Sequence, residues 1–394
     1  MADKHDLYDD RIYWKMADSL NKEGFEVHYL LIGNENKKGI TKEGINYEIL
    51  KLKTFSNNRY LNFILKRLNP KNNYKLLFKK SAVLKADIYH FHDLWINRIA
   101  VKLKFLENNP VVFYDAREPY AEDYISYVNG KGIFKYVVLY FSKFVEYWEK
   151  NKSKHYDLII SNEELVRDRF RKKLGKSKAE VIYNYTDIYK NYTNTKWVNK
   201  KYDFIYCGGI TKLRGAFEIL KATKTAIEKI PTIQVVFLGK YSPLSLKEEL
   251  QSYIDKNDLK KNITLLDHVN YSQVSNYYNQ SKIGIVTLLQ SKTFEVSMPI
   301  KIFEYMAFGL PIIGSNFGHI KEYILKENCG IVVNPNNTKE IAHAMIEILT
   351  NIDKYKLYSE NGRTATLNKF KWEIEFQRLL DFYKKALNER DKKH

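Results

Sequence analysis

The sequence predicts an α/β protein made of two doubly wound domains, each a parallel sheet covered by helices. Three observations carry this. Short apolar runs alternate with stretches of helical periodicity along the whole chain, the pattern of strands joined by helical crossovers. At 394 residues the chain is too long for one hydrophobic core. A polar stretch without apolar periodicity, residues 187–201, divides it into near-equal halves.

The elements follow in order. Residues 11–20 read as a helix, Gly24 ends it, and residues 26–32 form a strand. Further strands are expected at 88–91, 111–114, 158–160 and 180–183 in the first half. In the second half they are expected at 203–207, 234–238, 263–266, 283–287, 311–313 and 330–333. The expected domains are 1–190 and 202–371, with a linker at 191–201 and a C-terminal helix at 372–394 packing back on the first domain. A doubly wound domain normally opens with a strand. Here the chain runs almost directly into a helix at Asp10 and Arg11, so the opening strand is missing or replaced by an unusual edge.

Composition narrows the function. The two cysteines, Cys207 and Cys329, lie far apart without metal-ligand spacing, which suggests a reducing compartment. The polar N-terminus is unlike a signal peptide, and no apolar run is long enough to span a bilayer, so a cytoplasmic protein is expected. The net charge of +19 suits an anionic membrane, nucleic acid or a phosphorylated small molecule, or reflects compositional bias. Residues 59–85 carry eight basic residues and no acid, interleaved with apolar ones. That pattern fits either an anionic lipid surface or a core-facing helix with solvated lysines. The aromatic-rich segment 134–148 is expected to pack in the interior.

Ligands of paired doubly wound domains bind beyond the carboxyl ends of the strands, so chemistry is expected in a crevice between the halves. Residues 208–215 follow the first strand of the second half and precede a helix. Gly208, Gly209 and Gly215 let the backbone approach a diphosphate, and Lys212 and Arg214 add positive charge. The alternative is a tight turn with solvent-facing cations. In residues 299–315, Glu304 reads as the start of a helix that ends at Gly309 and feeds the strand 311–314. A carboxylate there either accepts hydrogen bonds from a ribose diol or complements the helix dipole. Lys301 faces a nucleotide or solvent, and Glu295 contacts a sugar hydroxyl or is a solvated loop acid. At the strand ends of the first half, His90, His92, Asp93, Asp115, Arg117 and Glu118 are candidate ligand-binding groups.

The order and spacing of these motifs resemble the GT-B glycosyltransferases of family 4 over nearly the whole chain. Residues 5–20 are similar to the family's opening, residues 86–93 to its strand ending in His-x-His-Asp, and residues 112–118 to the segment that follows. Residues 208–215 look like its donor-phosphate loop, and Glu304 matches the glutamate that holds the nucleotide ribose. Three positions depart from the pattern: Gly209 replaces an arginine, Val296 an acid, and Arg117 a histidine. The resemblance implies a GT-B fold and retaining, metal-independent transfer from a nucleotide sugar, with no further cofactor. No Asp-x-Asp pair stands at a strand end, which fits. Catalytic roles are implied for His92, Asp93, Asp115, Arg117 and Glu118, and donor binding for Gly208, Gly209, Lys212, Arg214, Gly215, Glu295, Lys301 and Glu304. The expected acceptor is lipid-linked or a surface polysaccharide, reached by peripheral attachment at the inner face of the plasma membrane. A non-catalytic GT-B-like subunit is the alternative. Nucleic acid is not an expected partner, because the basic residues accompany a donor site rather than a reader module.

Overall fold

The computed structural model describes residues 1–3, 5–51, 73–117 and 133–392. Glu118 and residues 59–72 of the basic segment lie outside them. The chain divides into two compact units, Met1–Asn184 with Glu375–His394, and Tyr185–Ile374.

In the first unit the strands are β1 (His28–Gly33), β2 (Lys37–Ile40), β3 (Asn46–Lys51), β4 (Ile88–His92), β5 (Val111–Ala116), β6 (Leu158–Ser161) and β7 (Ala179–Val181). They form two groups, ordered β1-β3-β2 and β4-β5-β6-β7, parallel throughout except where β2 pairs with β3. Every residue of β5 is buried, as both faces of a covered parallel strand should be.

Two residues bridge the groups where an opening strand is expected. Ala2 donates to the Leu30 carbonyl at 3.1 Å and accepts from Ile32 N–H at 3.0 Å. On the other side the Met1 carbonyl accepts from His92 N–H at 2.8 Å, and the Met1 amine donates to the His90 carbonyl at 2.8 Å. Met1 and Ala2 therefore form an isolated bridge between β1 and β4. Residues 11–20 are helical as read, but the turn Asp10–Ala17 is wound as a π-helix and Asp18–Lys22 continues as α-helix. Asp9 caps this helix, its side chain accepting from the N–H groups of Arg11 and Ile12.

The helix Ile133–Ser153 corrects another expectation. It packs against the helices Asn97–Lys104 and Glu164–Leu174, burying Ser142, Val145 and Glu149. Tyr136, Tyr140, Phe144 and Tyr147 lie on the exposed side, Tyr140 at 79% exposure. Their spacing of three and four residues puts them on one face, so a segment aromatic all round buries only the other face. From the C-terminal helix Trp372–Asp391, Tyr383 packs edge-on against Phe113 with ring centroids 4.8 Å apart, and Arg390 pairs with Asp87 at 2.9 Å.

The second unit holds β8 (Tyr202–Cys207), β9 (Val235–Gly239), β10 (Ile263–Asp267), β11 (Ser281–Val286), β12 (Ile312–Ser315) and β13 (Gly330–Val333). All neighbours are parallel, in the order β10-β9-β8-β11-β12-β13. This is the doubly wound order, and its direction reverses between β8 and β11. The polar stretch 187–201 forms short 3-10 turns at Ile188–Asn191 and Trp197–Asn199. Trp197 anchors it by packing on Tyr355 at 4.2 Å between ring centroids.

Glu304 is not at a helix start. Its helix runs Ile300–Ala307 with Pro299 as its extended N-cap, so Glu304 sits a full turn inside. The helix ends as read: Gly309 takes φ +60° and Leu310 N–H returns to the Tyr305 carbonyl at 2.9 Å. Tyr305 ties this helix to β8, its hydroxyl accepting from Cys207 N–H at 3.0 Å and donating to the Ile205 carbonyl at 3.2 Å.

Candidate active site

In the second unit a cavity of about 260 Å³ opens at the carboxyl ends of β8 and β11, where the strand order reverses. Its lining includes Tyr206, Cys207, Arg214, Phe294, Pro299 and Lys301. The glycine loop forms one wall. Gly208 takes φ +131°, a conformation that favours glycine, and a Cβ there would lie 2.4 Å from Lys301 Cε, where the lysine now lies across the backbone. At Gly209 a Cβ would be 3.9 Å from the Arg214 guanidinium, so Arg214 itself supplies charge next to the position where the family's arginine is replaced. Gly215 takes φ +77°, and a Cβ there would strike the Thr287 carbonyl at 2.1 Å. Thr211 fixes the turn between them, its hydroxyl accepting from Arg214 N–H at 3.2 Å.

The expected donor residues divide. Arg214 and Lys301 face the same cavity, with the Arg214 guanidinium 5.6 Å from the Phe294 ring centre. Glu304 is buried beside them. Its Oε2 accepts from the Tyr278 hydroxyl at 2.6 Å and lies 3.5 Å from Lys301 Nζ. Burial disfavours a charged Lys301, yet the Glu304 charge outweighs it and holds the ammonium above the ordinary lysine range. Lys212 turns elsewhere, pairing with Glu249 at 2.5 Å. Glu295 is exposed and accepts from Gln290 at 2.7 Å.

The first unit gathers a second cluster at the ends of β4 and β5. Asp115 is fully buried and accepts from Arg11 Nε at 2.9 Å and Arg11 Nη2 at 3.3 Å. Arg11 Nη1 donates to the Ile182 carbonyl at 2.9 Å. His92 Nδ1 lies 3.1 Å from the same carboxylate. Burial alone would raise the Asp115 pKa, but the Arg11 charge and the His92 hydrogen bond hold it far below the usual carboxylate range. Burial pushes His92 down to about 4, leaving a neutral imidazole. His90 stacks on it at 4.7 Å between ring centres, with Nδ1 2.5 Å from the Tyr383 hydroxyl.

Arg117 and Asp93 reach the same region through a residue the sequence did not single out. His5 lies 3.0 Å from Asp9 and 3.1 Å from Asp93, and Arg117 pairs with Asp9 at 3.2 Å. Burial opposes a charged His5, but the hydrogen bonds to Asp9 and Asp93 prevail and raise its pKa to about 9. His5, Asp9 and Arg11 all lie in the opening motif, which was the available signal. Ligand atoms of His90, His92 and Asp115 lie within 4.8 Å of one another, a set with metal-binding chemistry. The Arg11 guanidinium on Asp115 already supplies the positive charge there, so these residues fit a cation poorly.

Residues 11–190 match the model of Glycosyltransferase Family 4, and residues 190–365 match that of Glycosyl transferases group 1. The chain is 24% identical over 233 residues to spore coat protein SA of Bacillus subtilis, covering 54% of this chain and 60% of that protein. It is 23% identical over 203 residues to the capsular polysaccharide biosynthesis glycosyltransferase CapM of Staphylococcus aureus, covering half of each. The chain thus spans only 50–60% of the length of these two relatives. The crystal structure of Anabaena HepE in complex with UDP superposes with a TM-score of 0.70 over 98% of both chains, at 13% identity.

Proposed function

Given that this chain belongs to the family 4 glycosyltransferases and has their GT-B fold, we propose that it moves a sugar from a nucleotide-sugar donor to a glycan acceptor with retention of configuration. The observation that supports this most is the pairing of Arg214 and Lys301 around a glycine loop at the switch point of the second unit. Two cations and open backbone amides suit a diphosphate, the leaving group of such a donor. Anabaena HepE is described in complex with UDP, which supports a uridine nucleotide as the first donor to test.

In the reaction we propose, the bond from the sugar's anomeric carbon to the diphosphate oxygen breaks. The acceptor oxygen then bonds to that carbon on the same face, and its proton passes to the departing diphosphate. Arg214 and Lys301 stabilise the charge that develops on the leaving oxygens. Both contacts of Glu304 fall on Oε2, so we assign the ribose diol to Oε1. Acceptor recognition falls to Arg117, His5 and Asp9, the partly exposed members of the first unit's cluster, rather than to the buried Asp115.

The exposed aromatic face of Ile133–Ser153, with exposed Lys143 beside it, favours an acceptor carried at a membrane surface. Among the described residues no helix is long and apolar enough to cross a membrane. Incubation with UDP-, GDP- and ADP-sugars, with products followed by NMR, tests the main reading. Consumption of a donor and release of a product with the donor's anomeric configuration support it; an inverted product rejects retention, and inertness toward every donor rejects the nucleotide-sugar reading. Flotation on phosphatidylglycerol vesicles at low salt tests the membrane reading, which fails if the protein stays unbound.

A further inference from the structure

Glu304 stands a full turn inside the helix Ile300–Ala307 and is 3% exposed. A carboxylate on a rotatable side chain serves a ligand only when its neighbours fix its direction. Among the described residues two groups bond this carboxylate, both at Oε2: the Tyr278 hydroxyl at 2.6 Å and the Lys301 ammonium at 3.5 Å. The first is a short, charge-assisted hydrogen bond, while the second lies at the limit of contact. Tyr278 therefore sets the orientation of Glu304, and Lys301 still lines the cavity.

Tyr278 is itself held from several sides. It is fully buried near the end of the helix Tyr271–Asn279. Its ring packs edge-on against Tyr305, with centroids 5.5 Å apart, and at a tilt against Phe308 at 5.2 Å. Tyr305 is in turn pinned to β8 through its hydroxyl. The neighbouring Asn279 ties the helix to the polar stretch before β8: its Oδ1 accepts from Thr193 N–H and its Nδ2 donates to the Asn191 carbonyl, both at 2.9 Å. At the other end of the helix the Tyr271 hydroxyl donates to Asp187 at 2.8 Å. Burial holds the Tyr278 hydroxyl well above the ordinary tyrosine range, so it remains a donor.

We propose that Tyr278 is a positioning residue of the donor site: its hydroxyl holds Oε2 of Glu304 so that Oε1 stays aimed at the ribose diol, which makes the site selective for nucleotides that carry the diol. This rests on the nucleotide-sugar reading of the cavity. Without the hydroxyl, Lys301 is the remaining partner of Oε2, and the carboxylate tilts out of line with the diol.

The test is isothermal titration of UDP, GDP and ADP and of their 2′,3′-dideoxy counterparts into wild type, Tyr278→Phe, Glu304→Ala and the double variant. Phenylalanine keeps the ring contacts and removes only the hydroxyl. For the nucleotide that the wild type binds, loss of the diol is expected to weaken binding roughly tenfold or more. In Tyr278→Phe that ratio should shrink to about threefold or less, because the ribonucleotide loses affinity and the dideoxy form does not. Adding Tyr278→Phe to Glu304→Ala should change ribonucleotide affinity by less than about twofold, since the hydroxyl acts through the carboxylate. A Tyr278→Phe variant that keeps the full ratio, or that weakens both nucleotides equally, would overturn the proposal. So would a wild-type complex in which the ribose hydroxyls sit on Oε2 and the Tyr278 bond is broken, a readout that needs no variant. A wild type that binds nucleoside diphosphates but does not distinguish the dideoxy forms would overturn this assignment and leave the diphosphate site standing. Binding of none of them would fail the donor reading, and this inference with it.

Discussion

Replacing Asp115 by asparagine isolates the buried pair that organises the first unit. Arg11 is completely buried and spends its guanidinium on two bonds to Asp115 and one to the Ile182 carbonyl. An amide keeps the shape but removes the charge, leaving Arg11 an uncompensated buried cation. Breaking such a pair costs roughly 3–5 kcal/mol. For a unit of this size each kcal/mol moves Tm by about 2–4 °C, so the loss should be roughly 6–20 °C. Scanning calorimetry reads it directly. The sign with pH is also set. Because the Asp115 pKa is depressed in the folded state, its contribution is complete above the unfolded value near 3.8 and disappears only as pH falls below that. The difference between wild type and D115N should therefore be flat from pH 6 to 8. The double replacement Arg11→Met with Asp115→Leu should recover much of the loss, since no charge is then stranded. A D115N variant that melts within about 2 °C of wild type would refute the reasoning.

Three further outcomes are expected. Tyr305→Phe strips a donor from the Ile205 carbonyl and an acceptor from Cys207 N–H, and should destabilise the second unit by about 1–3 kcal/mol in urea titration. Gly208→Ala drives a methyl into Lys301, and UDP affinity measured by fluorescence competition should fall roughly 10- to 100-fold. His5 has a raised pKa, so its stabilising pairs with Asp9 and Asp93 are complete below about 6.5 and vanish as pH rises through about 9. The Tm gap between wild type and His5→Gln should therefore be wide at pH 6 and close by pH 10.

The buried parallel strands were legible because four or more consecutive apolar residues leave few alternatives: β5, β8, β9 and β11 lie within a residue or two of their expected places. The strands β2 and β3 were not, because Lys37–Ile40 is exposed throughout and carries no apolar pattern to read. The glycine loop and Lys301 could be named from local spacing. Their convergence could not, since it depends on how Ile300–Ala307 packs against β11. Tyr278, which holds Glu304, gave no local signal at all. The Arg11–Asp115 pair joins residues 104 apart, and sequence alone cannot pair one buried charge with another at that distance. The aromatic helix was misread for a related reason: with apolar residues on every face, periodicity does not say which face is covered.

Isothermal titration of UDP, GDP and ADP into wild type, Arg214→Ala and Lys301→Met bears most directly on the proposed donor site. Saturable binding to the wild type is predicted, weakened roughly tenfold or more in each variant, while the Tm of Arg214→Ala stays within a few degrees. Binding that both variants retain at full strength would place the diphosphate elsewhere, and a wild type that binds no nucleoside diphosphate would contradict the assignment outright.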